Sequence, residues 1–211
     1  MRRCHIFAGG DLGSKVTKEY FRSRHGFVIC ADSGYKHVKK LGLRPDIIVG
    51  DFDSYKGKLP ENAEIIRTVP EKDDTDTLMA LKIAIERGYR EIWLYGALGG
   101  ERFDHSIANL QLMLYAREQG ARLILCGNEW ISLQGSDEVE RDAHYSKQYG
   151  DRYFSVFAVT DTVKIRQLSG VKYPLENYEM KRSFPIGVSN EITGESAVLD
   201  IERGLALVIQ S

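Results

Sequence analysis

The chain has 211 residues, 43% of them apolar, with 29 Lys+Arg against 30 Asp+Glu and a formal net charge of -1. This balance excludes broad electrostatic capture of nucleic acid or an anionic membrane, so a charged ligand must be recognised locally. Cys4, Cys30 and Cys126 include no Cys-x-x-Cys pair, which argues against a disulfide framework or a zinc site and for a reducing compartment. Residues 1–11 lack an apolar stretch of signal-peptide length, and no segment reaches the ~20 apolar residues of a membrane span. A cytoplasmic location is expected.

In chain order, apolar runs predict strands at 3–8, 27–31, 46–50, 91–95 and 122–126. Helix-like segments ending at Gly42, Gly88 and Gly120 precede the last three. A glycine there suits a helix C-terminus, where the left-handed conformation is cheap for Gly. The runs lack polar alternation, as expected of strands covered on both faces in a parallel sheet. Leu78, Leu81 and Ile85 are predicted to form the apolar face of one helix, and Ile107, Leu110 and Leu114 that of another. After about Trp130 the style changes. A polar stretch covers 136–151, and then short alternating runs appear, such as Ala197, Leu199, Ile201 and, after Gly204, Leu205, Leu207, Ile209. The expected architecture is α/β: an N-terminal three-layer domain with a parallel sheet over 1–140, and a C-terminal antiparallel β-sandwich domain over 141–211.

In parallel α/β sheets, ligands bind beyond the carboxyl ends of the strands. Asp32 follows one such end, and Asp51 and Asp53 follow another. Asp104 lies in the loop after 91–95, and Asp73, Asp74 and Asp76 open the helix that carries Leu78. In extended backbone, residues two apart point the same way, so Asp51 and Asp53 can face one ion. Converging carboxylates repel unless a cation joins them, and with few His and no Cys nearby a hard ion such as Mg²⁺ fits best. Asp76 and Asp104 also have a structural role open to them, because Asp and Thr cap helix starts. The run Gly96–Arg102 is glycine-rich between a strand and a helix, so its amides can approach phosphates and Arg102 can pair with them. It is neither a Walker loop nor a dinucleotide fingerprint. His105 suits a helix start or a proton carrier.

Taken in order, these runs resemble the thiamine pyrophosphokinases. The matching pieces are Cys30-Ala31-Asp32-Ser33-Gly34, Gly50-Asp51-Phe52-Asp53-Ser54, Lys72-Asp73-Asp74-Thr75-Asp76-Thr77 and Gly99 through Asp104-His105 with Ala108-Asn109. In the second half they are Ser169-Gly170-Val171-Lys172-Tyr173-Pro174-Leu175 and Gly187-Val188-Ser189-Asn190-Glu191. The glycine loop carries one residue more than the family pattern, around Glu101, and Ser33 stands where the family often has Gly.

The resemblance implies transfer of a pyrophosphoryl group from ATP to the thiamine hydroxyl, with release of AMP. It implies a catalytic ATP/Mg-binding domain over 1–140, a thiamine-binding domain over 141–211, and a homodimer whose substrate site lies between the catalytic domain of one subunit and the β domain of the other. On this basis Asp51, Asp53 and Asp76 hold Mg²⁺, and Asp104 completes the shell or takes the hydroxyl proton. Asp32, Lys72, Asp73 and Arg102 meet the nucleotide, while Tyr173, Ser189 and Asn190 meet thiamine. The competing expectations are a pyrophosphokinase for another heteroaromatic alcohol such as a hydroxymethylpterin, a metal-dependent phosphate-ester hydrolase, and a nucleotide-binding regulator.

Overall fold

A computed structural model describes residues 2–52, 58–68, 74–99, 102–136, 142–146 and 152–211. Lys72 and Asp73 of the expected nucleotide site and Asp53 of the expected metal site lie outside the described residues. The chain divides into two compact units, Met1–Asn128 and Glu129–Ser211.

The first unit holds the parallel strands β1 (Arg3–Phe7), β2 (Phe27–Ala31), β3 (Ile47–Gly50), β4 (Glu64–Arg67), β5 (Glu91–Tyr95) and β6 (Arg122–Cys126), and the apolar runs form all of them but β4. Their order is β4-β3-β2-β1-β5-β6. Strands β1–β4 build outward to one side, and the chain then returns to add β5 and β6 on the other. The order therefore reverses between β1 and β5, a topological switch point of the kind that opens a ligand crevice. The helices are α1 (Tyr35–Leu41), α2 (Asp76–Glu86) and α3 (Phe103–Glu118). Gly42 terminates α1 with φ +69, and Gly88 and Gly120 sit just beyond α2 and α3 with φ +83 and +68. The C-terminal glycines thus do what their positions imply.

Two features depart from the pattern. Strand β4 is an extra parallel strand whose four residues are half-buried or exposed, so no apolar run announces it. The buried face of α3 consists of Ser106, Asn109, Leu112, Met113 and Ala116, not the expected Ile107, Leu110 and Leu114. Phe103 and Ile107 are 75% and 44% exposed, and Leu110 and Leu114 only half-buried. Small residues and an amide on the inner face let α3 approach β6 and α2 closely. Helix α2 likewise buries Ala80, Leu81 and Ala84 most deeply, with Leu78 and Ile85 only half-buried. The three cysteine thiols are buried in this unit's sheet, where burial pushes their pKa values up.

An aromatic cluster of Phe7, Tyr20, Phe21 and Tyr95 surrounds His5, which is 1% exposed. His5 Nδ1 lies 3.1 Å from the Tyr95 hydroxyl, and Nε2 is buried with no hydrogen-bond partner among the described residues. Burial, followed by the charges of Arg3 and Arg24 against an opposing Glu91, lowers its pKa to about 4. The neutral imidazole is therefore the folded form. An unfolded chain takes up this proton near pH ~6.5, so stability is full above that pH and falls as pH drops from ~6.5 towards 4, by on the order of 3 kcal/mol. Thermal melts between pH 7 and 4 are expected to show this slope, and His5→Phe to flatten it. An unchanged slope in that variant would assign the acid sensitivity elsewhere.

The second unit is antiparallel. Strands β7 (Trp130–Gly135), β9 (Phe154–Ala158) and β13 (Leu205–Gln210) pair in the order β7-β13-β9. Strands β8 (Asp142–Ser146), β10 (Thr162–Ser169), β11 (Leu175–Lys181) and β12 (Ser196–Arg203) pair in the order β11-β10-β12-β8. Inward residues of both sets, including Tyr145, Phe154, Val156, Ile165, Leu199 and Val208, share one core, which makes the unit a sandwich. The style of the sequence changes after about Trp130 and the domain boundary is expected near residue 140; the compact units divide between Asn128 and Glu129, and β7 pairs with the C-terminal strand β13. Among the described residues no helix is long and apolar enough to cross a membrane.

Candidate active site

The reversal between β1 and β5 opens a cavity of about 290 Å³. Gly9 and Gly10 after β1, Asp32 and Ser33 after β2, and Gly96, Ala97 and Gly99 after β5 line it. Thr75, Asp76 and Thr77 at the start of α2, with Arg102, His105 and Asn109 at the start of α3, complete the wall. Close backbone approach builds it. Gly96 has φ +65, and a Cβ there would lie 2.4 Å from the Ala8 carbonyl oxygen. The Lys36 ammonium donates to the Gly9 carbonyl at 2.9 Å, and His37 Nε2 donates to the Gly10 carbonyl at 2.8 Å. On the opposite side the Asn109 amide donates to the Ala97 carbonyl at 2.7 Å. The loops after β1 and β5 are thus tied from α1 and α3 respectively.

Asp32, with φ +46, stands at the cavity wall directly after β2. Its backbone packs against β3, since a Cβ at Gly50 would come within 3.0 Å of the Asp32 Cα. Asp76 stands in the first turn of α2, but it does not cap that helix. Thr75 is the cap, its hydroxyl accepting from the Leu78 amide at 3.1 Å. Asp51 follows β3, half-buried. The backbone at Phe52, next to Asp51, is left-handed and not extended, with φ +61. A bulky residue there costs about 1–2 kcal/mol of backbone strain, and left-handed non-glycine residues cluster at functional sites. The Arg67 guanidinium sits 5.2 Å from the centroid of the Phe52 ring, a cation–π contact across the ends of β3 and β4.

Asp104 is not among the lining residues. Arg102 holds it with two parallel bonds, Nε to Oδ1 at 3.0 Å and Nη2 to Oδ2 at 2.6 Å. The guanidinium lowers the Asp104 pKa to about 2. His105, for which the sequence favours a helix-start role over that of a proton carrier, lines the cavity, as do Gly9 and Gly10. The signal for the two glycines was their place directly after a strand end.

Among the described residues no group of three or more His, Cys, Asp or Glu side chains gathers to hold a metal ion. Mg²⁺ does not require one: it typically takes one or two carboxylates, the rest of its shell being water and substrate phosphate oxygens. The hard carboxylate of Asp76, at the cavity edge, fits that demand.

In the second unit Tyr173 is 61% exposed. Asn190, 8% exposed, clamps its backbone: Oδ1 accepts from the Tyr173 amide at 3.0 Å and Nδ2 donates to the Tyr173 carbonyl at 2.9 Å. Oδ1 also accepts from the Glu191 amide at 2.9 Å. The Asn190 side chain therefore spends these three bonds on holding the loop. Ser189 has φ +59 and is exposed, its amide donating to Ser155 Oγ at 3.0 Å. The Lys172 ammonium lies 5.6 Å from the Tyr173 ring centroid and 3.1 Å from a Glu191 carboxylate oxygen.

A glycine-built cavity at a sheet switch point, with acid groups at its edge, belongs to the class of α/β enzymes that handle phosphate groups. Comparison with known proteins narrows this class. Residues 18–125 match the family model described as thiamin pyrophosphokinase, catalytic domain, and residues 142–205 match the thiamin pyrophosphokinase vitamin B1 binding domain. The chain belongs to the thiamin pyrophosphokinase family. It is 26% identical to the thiamine pyrophosphokinase of Bacillus subtilis (strain 168), over 100% of this chain and 99% of that protein. A crystal structure of a thiamin pyrophosphokinase family protein from Enterococcus faecalis superposes with a TM-score of 0.82 at 29% identity, covering 100% of this chain and 99% of that one. For the fold alone, the Bacillus subtilis enzyme structure gives a TM-score of 0.85 at 24% identity, covering 100% and 99% of the two chains.

Proposed function

We propose that this chain transfers the pyrophosphoryl group of ATP to the hydroxyl of thiamine, giving thiamine diphosphate and AMP. The observation that carries this proposal is the order of the two family matches, a catalytic domain followed by a vitamin B1 binding domain, on a chain whose first unit holds the glycine-built cavity. Both are needed: the first supplies a phosphate site, the second an acceptor site.

In this proposal the thiamine oxygen attacks the β-phosphorus of ATP. The bond from that phosphorus to the α–β bridging oxygen breaks, AMP leaves with the bridging oxygen, and the hydroxyl proton passes to solvent. Reactions of this kind are driven by positioning and charge neutralisation. The triphosphate lies along the glycine turns, and Asp32 orients the nucleotide. Arg102 faces phosphate oxygens, with Lys72 and Asp73 assigned to the same end. Asp51, Asp53 and Asp76 would hold Mg²⁺, which when bound would neutralise phosphate charge. Asp104, kept at low proton affinity by Arg102, is a weak base; its assignment is to hold that guanidinium in place. Tyr173 stacks on the thiamine pyrimidine, Ser189 offers it a hydroxyl, and Asn190 keeps the Tyr173 loop in register. We further propose a homodimer in the cytoplasm.

Incubation with ATP, Mg²⁺ and thiamine tests the reaction. AMP and thiamine diphosphate are expected in equal amounts, with AMP formation dependent on thiamine. Nucleotide breakdown without an acceptor would point to a hydrolase. Turnover with a hydroxymethylpterin in place of thiamine would move the acceptor assignment.

A further inference from the structure

Thr68 is the first residue beyond β4, where neither sequence pattern nor cavity lining draws attention to it. Its two polar groups reach two different acid-bearing segments. The backbone amide donates to the Gly50 carbonyl at 3.1 Å, which anchors Thr68 to the residue just before Asp51. The hydroxyl donates to Asp76 Oδ1 at 3.3 Å, across to the first turn of α2. Gly50 in turn packs against the Asp32 backbone. One half-buried threonine thus links the ends of β3 and β4 to a cavity-lining carboxylate on a separate element.

We infer that Thr68 is a positioning residue, whose hydroxyl sets the Asp76 carboxylate relative to the Gly50–Asp51 turn and so presets the distance that a divalent cation must bridge. The physical reason lies in the carboxylate's choices. Asp76 starts a helix capped by its neighbour Thr75, so capping does not fix its rotamer. A hydroxyl on one carboxylate oxygen restricts that rotamer, whichever oxygen the cation then takes. Outer partners of this type tune ligand orientation, and their removal costs about 10–100-fold in metal affinity or activity. The inference rests on the metal assignment proposed above.

The test uses Mn²⁺ as the probe, its binding followed by the loss of free-ion paramagnetic resonance signal in the presence of a non-hydrolysable ATP analogue. Thr68→Val keeps the shape and removes the hydroxyl. It is expected to weaken Mn²⁺ binding about tenfold or more and to lower kcat, while the KM for thiamine and the melting temperature stay near those of the parent protein. Thr68→Ser returns the hydroxyl and is expected to return the affinity to within about twofold of the parent. Thr68→Ala gives the same comparison should the valine variant not fold. Parental affinity and kcat in a folded variant without the hydroxyl overturn the role of Thr68 and leave the metal assignment standing. No Mn²⁺ binding by the parent protein overturns the metal assignment and this inference with it.

Discussion

Asp76→Asn is expected to lower kcat by about a thousandfold, the scale at which removal of one preorganised charge is felt, while the protein stays folded. The structure separates the two effects. Asp76 sits in the first turn of α2, where a carboxylate is favourable, but the cap is Thr75, whose hydroxyl takes the Leu78 amide. The amide of Asn has the same shape, and its oxygen can still accept from Thr68. What the variant loses is one negative charge at the cavity edge, so its melting temperature is expected within a few degrees of the parent. Asp51→Asn is expected to behave alike, since Asp51 adjoins the Gly50 carbonyl to which Thr68 is anchored. Steady-state kinetics across Mg²⁺ concentrations, paired with thermal melts, provide the check. Near-parental kcat in both variants would remove the metal assignment.

Tyr173→Ala is expected to raise the KM for thiamine about tenfold, equivalent to the ~1.4 kcal/mol of one aromatic contact, and to leave the KM for ATP unchanged. Three observations make this a test of the ring and not of the fold. The side chain is largely exposed, so truncating it opens no core cavity. The bonds that fix this residue run between its backbone and Asn190, and an alanine keeps them. Lys172, which stands by the ring, keeps its ion pair with Glu191 when the ring is removed. Tyr173→Phe is expected to retain most of the affinity. An equal rise in KM for both substrates would reject the stacking role.

The parallel sheet was legible because its strands are buried on both faces and must therefore be apolar throughout. The glycines after the helices were legible because few other residues tolerate the left-handed turn. That Asp32 and Asp76 line the cavity agrees with one rule, that ligands gather at the carboxyl ends of such strands. The inner face of α3 was not legible, since Ser106, Asn109 and Ala116 are buried there beside Leu112 and Met113, while Phe103 and Ile107 are exposed. An apolar period marks a side that avoids water, not the partner that covers it. Strand β4 escaped notice because a short edge strand needs no apolar run. The turn at Phe52 escaped because nothing in Gly-Asp-Phe-Asp announces a left-handed phenylalanine. The clamp that Asn190 places on Tyr173 spans 17 residues of chain, and such pairing follows from the folded loop, not from local sequence.

The burial of Cys4, Cys30 and Cys126 has a consequence for how the protein ages. A thiol reacts with an oxidant through its thiolate, and these three are both sealed in the sheet and held protonated. Cysteine oxidation in this chain must therefore wait until the first unit opens, and its rate follows how often that sheet comes apart.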